Sequence, residues 1–122
     1  AILVVEDNIV NQQLVMRILE KRGCRVDIAA NGFEAIELFK SNNYRLIFMD
    51  CLMPDMDGYE TTQILREIEH SRPERTKVAI VALTASVMID EDVRCFKAGM
   101  DDFMRKPINI SELEMVLLRH IN

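Results

Sequence analysis

Three times in this chain a run of four to six apolar residues stops on a polar side chain. Ile2-Leu3-Val4-Val5 gives way to Glu6-Asp7-Asn8, Leu46-Ile47-Phe48-Met49 to Asp50, and Val78-Ala79-Ile80-Val81-Ala82-Leu83 to Thr84. Runs this short do not make helices of their own, and without alternating polar positions they read as strands covered on both faces. Such strands belong to parallel sheets, and open parallel sheets place their chemistry just beyond the carboxyl ends of the strands. Asp50 stands at such an end and is the residue that most needs explaining. The Pro54, Asp55, Asp57 and Gly58 that follow end the strand and turn the chain, so the two further acids have a turn-forming role available to them.

Between the strands the apolar spacing becomes helical. Val10, Leu14, Val15, Ile18 and Leu19 share a face, and Lys21-Arg22-Gly23 closes that helix. A second strand over 24–30 is broken by Asn31-Gly32 before a helix carrying Ala35, Ile36, Leu38 and Phe39. A third helix runs from Tyr59 to Ile68 and a fourth through Val93, Phe96 and Ala98 to a stop at Gly99. Phe103-Met104 makes a last short strand, and a fifth helix spans about Ser111 to Ile121. Strands alternating with helices at this spacing imply an α/β fold of five βα units, with right-handed crossovers and helices on both faces of the sheet.

At 122 residues, 1–122 is one domain. The chain opens without Met directly in a strand, as expected of a domain cut from a longer chain. Fifteen basic against twenty acidic residues leave a net charge of −5, which disfavours nucleic-acid binding through this domain. No apolar run approaches the roughly 20 residues of a membrane span. Cys24, Cys51 and Cys95 lack the spacing of a zinc site or a disulfide framework, so reduced thiols in a cytoplasmic setting are expected.

The strand ends together deliver Glu6, Asp7, Asp50, Thr84 and Lys106 to one edge. Crowded carboxylates raise one another's pKa and call for a cation, and hard oxygen ligands suit Mg²⁺. A carboxylate can attack phosphorus while a metal, an ammonium and a hydroxyl stabilise the phosphoryl oxygens. Asp55, Asp57 and Gly58 also suggest a calcium loop, but Met53 at the first ligand position and Ile64 in place of the closing Glu exclude an EF-hand.

Val5-Glu6-Asp7-Asn8, Met49-Asp50 with Met53-Pro54 and Asp57-Gly58, Ala82-Leu83-Thr84-Ala85, and Lys106-Pro107, in that order, resemble the response-regulator receiver domain of two-component signalling. The resemblance implies a flavodoxin-like sheet of strand order 2-1-3-4-5. It implies that Asp50 accepts a phosphoryl group from a phosphohistidine on a histidine kinase or histidine phosphotransfer protein. Mg²⁺ would be held by Asp7, Asp50 and the backbone carbonyl of Leu52, with Glu6 acting mainly through a metal-bound water. Lys106 would pair with the acids, Thr84 would close on the phosphate, and Phe103 would turn inward as the switch that changes the face of the fourth helix, fifth strand and fifth helix. Lys106-Pro107 looks like the family's cis peptide. Leu52 and Ser86 occupy the positions that tune dephosphorylation. Asn11, the Ala98-Gly99-Met100-Asp101-Asp102 turn and Pro107-Ile108 look like receivers attached to hybrid sensor histidine kinases, whether or not the parent chain is membrane-anchored.

On this reading the isolated domain is not an enzyme beyond self-catalysed phosphorylation and dephosphorylation. Two rivals are an aspartyl-phosphate phosphatase or phosphotransferase, which would want a second acid where Leu52 stands, and a docking module with a vestigial site. Asn8 is expected to cap the first helix, Cys51 to be an incidental neighbour of Asp50 open to modification if exposed, and most of the eight Met to fill the core. Neither His70, in a polar loop, nor His120, near the chain end, is placed to relay phosphate.

Overall fold

A computed structural model describes residues 1–53, 56–74, 77–84 and 89–121. The elements run β1 (Ile2–Val5), α1 (Ile9–Lys21), β2 (Val26–Ala29), α2 (Gly32–Ser41), β3 (Leu46–Asp50), α3 (Gly58–His70), β4 (Ala79–Thr84), α4 (Ile89–Ala98), β5 (Asp102–Arg105) and α5 (Ile110–Ile121). The five strands are parallel and ordered β2-β1-β3-β4-β5, as expected. The apolar runs explain the layering, because successive residues of a strand point to opposite faces. Ile2 and Val4 of β1 join Leu46, Phe48, Val81 and Leu83 in one core, closed by Val15 and Leu19 of α1 and Leu113, Val116 and Leu117 of α5. Leu3 and Val5 join Ile47, Met49, Ile80 and Ala82 in the other, closed by α2, α3 and α4 through Ala35, Phe39, Leu65, Cys95 and Ala98.

Two helices differ from the apolar spacing. Val93 and Phe96 of α4 face outward, and Cys95 and Ala98 make the contact with the sheet. Ile9 and Val10 are also exposed, because the first turn of α1 gives its inward side to Asn11 and Gln12, which reach the end of β1. Asn8 caps α1 as expected, accepting from the Asn11 amide at 3.1 Å. Of the methionines, Met49, Met53, Met100 and Met104 are core residues, whereas Met115 is exposed on α5. Glycine is required where α3 begins: a Cβ on Gly58 would collide with the Asp50 carbonyl. Gly99, which ends α4 with φ 107°, occupies the left-handed region. Among the described residues no helix is long and apolar enough to cross a membrane.

Candidate functional site

β1 and β3 are neighbours, with Val5 paired to Met49, so Glu6 and Asp50 leave adjacent strands at the same height. β4 lies on the other side of β3, with Leu83 paired to Asp50, which brings Thr84 to the same edge. The Lys106 amide donates to the Thr84 carbonyl at 2.8 Å, so the residue after β5 is fastened to the end of β4. The Lys106-Pro107 peptide is cis, as expected. Lys106 Nζ reaches Glu6 Oε1 at 3.0 Å and Asp50 Oδ1 at 3.2 Å, bridging the two carboxylates. The Leu52 amide also donates to Asp50 Oδ1, at 3.2 Å.

Asp50 is 2% exposed and Glu6 wholly buried, whereas Asp7 opens to solvent. One carboxylate oxygen from each of these three acids lies within 4.8 Å of the others. Burial, and then the neighbouring Glu6, push the Asp50 carboxyl up to about 8 against the pull of Lys106. Burial acts on Glu6 in the same direction, but hydrogen bonds from Asp50, Lys106 and Asn11 outweigh it and hold that carboxyl below the usual range. Burial and mutual repulsion thus disfavour holding both carboxylates charged at once. Burial lowers the Lys106 ammonium, yet Glu6 and Asp50 reverse the effect and raise it, so it stays charged. Three acids against one ammonium leave surplus negative charge with an open side at Asp7. That donor set fits Mg²⁺, which takes one or two carboxylates and keeps several waters.

Thr84 is buried, Phe103 is half-buried, and the Leu52 side chain is 69% exposed beside the acids. The Phe103 ring meets Phe96 edge-on at 6.3 Å, and the Arg105 guanidinium lies 4.8 Å from its centroid. Pro54, Asp55, Ala85 and Ser86 lie outside the described residues. Asp57 caps α3, accepting from the Glu60 amide at 2.9 Å, which is the turn role expected of it. Cys51 is buried against Tyr59 and Cys95, and burial pushes its thiol up to about 12, in keeping with the incidental neighbour expected and not with an exposed thiol open to modification. His70 ends α3, and His120 contacts Asp102 at 3.1 Å, away from the acids.

Sequence reasoning used Asn11 only as a marker of resemblance, yet its side chain donates to Glu6 Oε1 at 2.8 Å. Its place in the first turn of a helix that follows an acidic strand end was the available signal. Arg94, 4.0 Å from the Tyr59 ring centroid and 3.7 Å from Asp57, gave no such signal, because its partners are 35 and 37 positions away.

A doubly wound five-stranded sheet with an acid triad, a buried hydroxyl and a bridging lysine at its carboxyl edge defines a class of phosphoryl-handling signalling domain. Residues 2–118 match the model of the response regulator receiver domain, and the chain belongs to that family. It is 41% identical over 99% of its length to Hybrid signal transduction histidine kinase B of Dictyostelium discoideum, of which it spans 7%. Among solved structures it resembles the receiver domain of a sensor histidine kinase from Pseudomonas aeruginosa, with a magnesium ion coordinated in the active-site cleft. That match has a TM-score of 0.86 and 39% identity, over 98% of this chain and 95% of the other. A second likeness, with a TM-score of 0.90 and 32% identity over 98% and 86% of the two chains, is to a Saccharomyces cerevisiae co-crystal. It contains the histidine phosphotransfer signalling protein Ypd1 and the receiver domain of the response regulator Ssk1.

Proposed function

We propose that this receiver domain works as a phosphoacceptor switch in which Asp50 takes the phosphoryl group of a phosphohistidine. The observation that carries the reading is the Lys106 ammonium bridging Glu6 and Asp50 at the edge where β1, β3 and β4 end. An Asp50 carboxylate oxygen forms the new bond to phosphorus as the phosphorus–nitrogen bond breaks, and its electron pair returns to the imidazole. Lys106 and Thr84 offer an ammonium and a hydroxyl to the phosphoryl oxygens. Asp7, Asp50 and the backbone carbonyl of Leu52 would hold Mg²⁺, with Glu6 acting through a water, and the ion would supply charge neutralisation. Leu52 and Ser86 are assigned to tuning the lifetime of the phosphoryl group, Leu52 by presenting apolar surface beside the acids.

Thr84 and Phe103 are assigned to the switch that changes the face of α4, β5 and α5. Phe103 has no hydroxyl, so no side-chain hydrogen bond fixes its inward position. The donor is a histidine kinase or a histidine phosphotransfer protein, a reading supported by the co-crystallised yeast relative. Likeness to a hybrid kinase over 99% of the chain favours residues 1–122 as a receiver unit of such a protein, working in the cytoplasm and without nucleic acid of its own. The isolated unit is assigned only self-catalysed gain and loss of phosphate. The test is labelling with a small phosphodonor and Mg²⁺, followed by intact mass. One phosphoryl group on the wild type and none on Asp50→Asn is the expected result; equal labelling of the two defeats the reading.

A further inference from the structure

The Glu6 carboxylate is held from the first turn of α1 as well as by Lys106. The Glu6 side chain ends in a torsion that is broad and weakly restrained by its own covalent geometry, so its two oxygens are distinguished only by their surroundings. Asn11 Nδ2 donates to Oε1 at 2.8 Å, and Lys106 Nζ contacts the same oxygen at 3.0 Å and Oε2 at 3.5 Å. A carboxylate only accepts, so the Asn11 amide must present its NH₂ to it. The anchor itself is firm. The Asn11 backbone amide donates to the Asn8 cap at 3.1 Å, and the neighbouring Gln12 Nε2 donates to the Glu6 backbone carbonyl at 2.6 Å. The first turn of α1 thus grips both the main chain and the carboxylate of Glu6.

We infer that Asn11 is a positioning residue of the acidic site: its hydrogen bond to Glu6 Oε1, beside the Lys106 ammonium, fixes the rotation of the carboxylate that faces the cation site. The inference rests on the metal-assisted phosphoacceptor reading above and adds a residue to it. Asn11 is uncharged, so it orients the site without changing its charge. Without it the carboxylate loses the neutral donor that fixes its last torsion and is free to rotate against Lys106. Residues that orient a group beside a metal typically change metal affinity about 10–100-fold when removed.

The test is calorimetric titration of the 122-residue chain with Mg²⁺, comparing wild type with Asn11→Leu, which keeps the bulk without the donor, and Asn11→Ala. The expected result is about tenfold weaker Mg²⁺ binding in both variants with thermal midpoints close to wild type. Affinity within twofold of wild type in the folded variants overturns the inference, whether or not their midpoints fall, and so does a wild type that binds no Mg²⁺. If one variant fails to fold, the other carries the comparison. A wild type that binds Mg²⁺, responds to Asn11 and yet takes no label at Asp50 defeats the phosphoacceptor reading and leaves the positioning role standing.

Discussion

Burial and then Glu6 raise the Asp50 carboxyl against the pull of Lys106. That carboxyl sits near 8 in the fold and near the ordinary value of about 4 in the unfolded chain. Between those values the native state binds the extra proton, so this group lowers stability as pH rises from about 4 to about 8. Asparagine has no such charge to bury. In the presence of a chelator, Asp50→Asn should therefore gain stability over wild type at pH 8.5 and much less at pH 5, read from urea midpoints. A gain of the same size at both pH values would show that the acid does not titrate in this range. A cation placed among these acids would compete with that proton.

At the level of elements, α3, α4 and the start of β4 are tied at the end of the sheet remote from the acids. Arg66 of α3 donates to the Gly99 carbonyl at 2.8 Å, the Val78 carbonyl at 2.7 Å and Asp101 at 2.6 Å, and pairs with Glu69 at 3.1 Å. Glu69 and Asp101 in turn accept from the Val78 and Ile80 amides at 2.8 and 2.9 Å. Removing the guanidinium leaves two carboxylates and two carbonyls short of a partner. Arg66 and Glu69 are part-buried and Asp101 reaches the surface, so the cost falls below the about 3–5 kcal/mol of a fully buried pair. Arg66→Met should therefore lose about 2 kcal/mol in urea unfolding while Mg²⁺ affinity of the folded protein stays near wild type. A loss below about 0.5 kcal/mol, the scale of an ordinary surface substitution, would count against it. The strands were legible from the apolar runs, and the edge they form followed from the polar residue ending each run. Arg66 was not legible, because its partners Gly99 and Asp101 lie 33 and 35 positions away and only the folded crossover brings them together. The outward turn of Val93 and Phe96 was hidden for a related reason, since hydrophobicity alone ranks them above Cys95 and Ala98, the residues that fit against the sheet.

Considered whole, the molecule has two cores divided by one sheet, and its acids meet only when β1 and β3 are paired. The unfolded chain has no equivalent of that cluster, so a cation bound there stabilises the native state by mass action. At 100 times its Kd, Mg²⁺ should add about 2.7 kcal/mol. The effect should be larger at pH 8 than at pH 5, because the cation displaces the Asp50 proton. Equal midpoints with and without Mg²⁺ at pH 8 would contradict this. The distribution of aromatic rings then has an optical consequence. The chain has no tryptophan and two tyrosines. Tyr44, just before β3, donates to the Asp27 carboxylate at 2.7 Å. Tyr59 lies in the first turn of α3, against Cys51 and beneath the Arg94 guanidinium, next to the glycine that abuts the Asp50 carbonyl. Ultraviolet emission from this chain thus comes from two rings at opposite ends of one strand. Only Tyr59 is within reach of events at the acids, which gives the domain a built-in fluorophore for following its own chemistry without a dye.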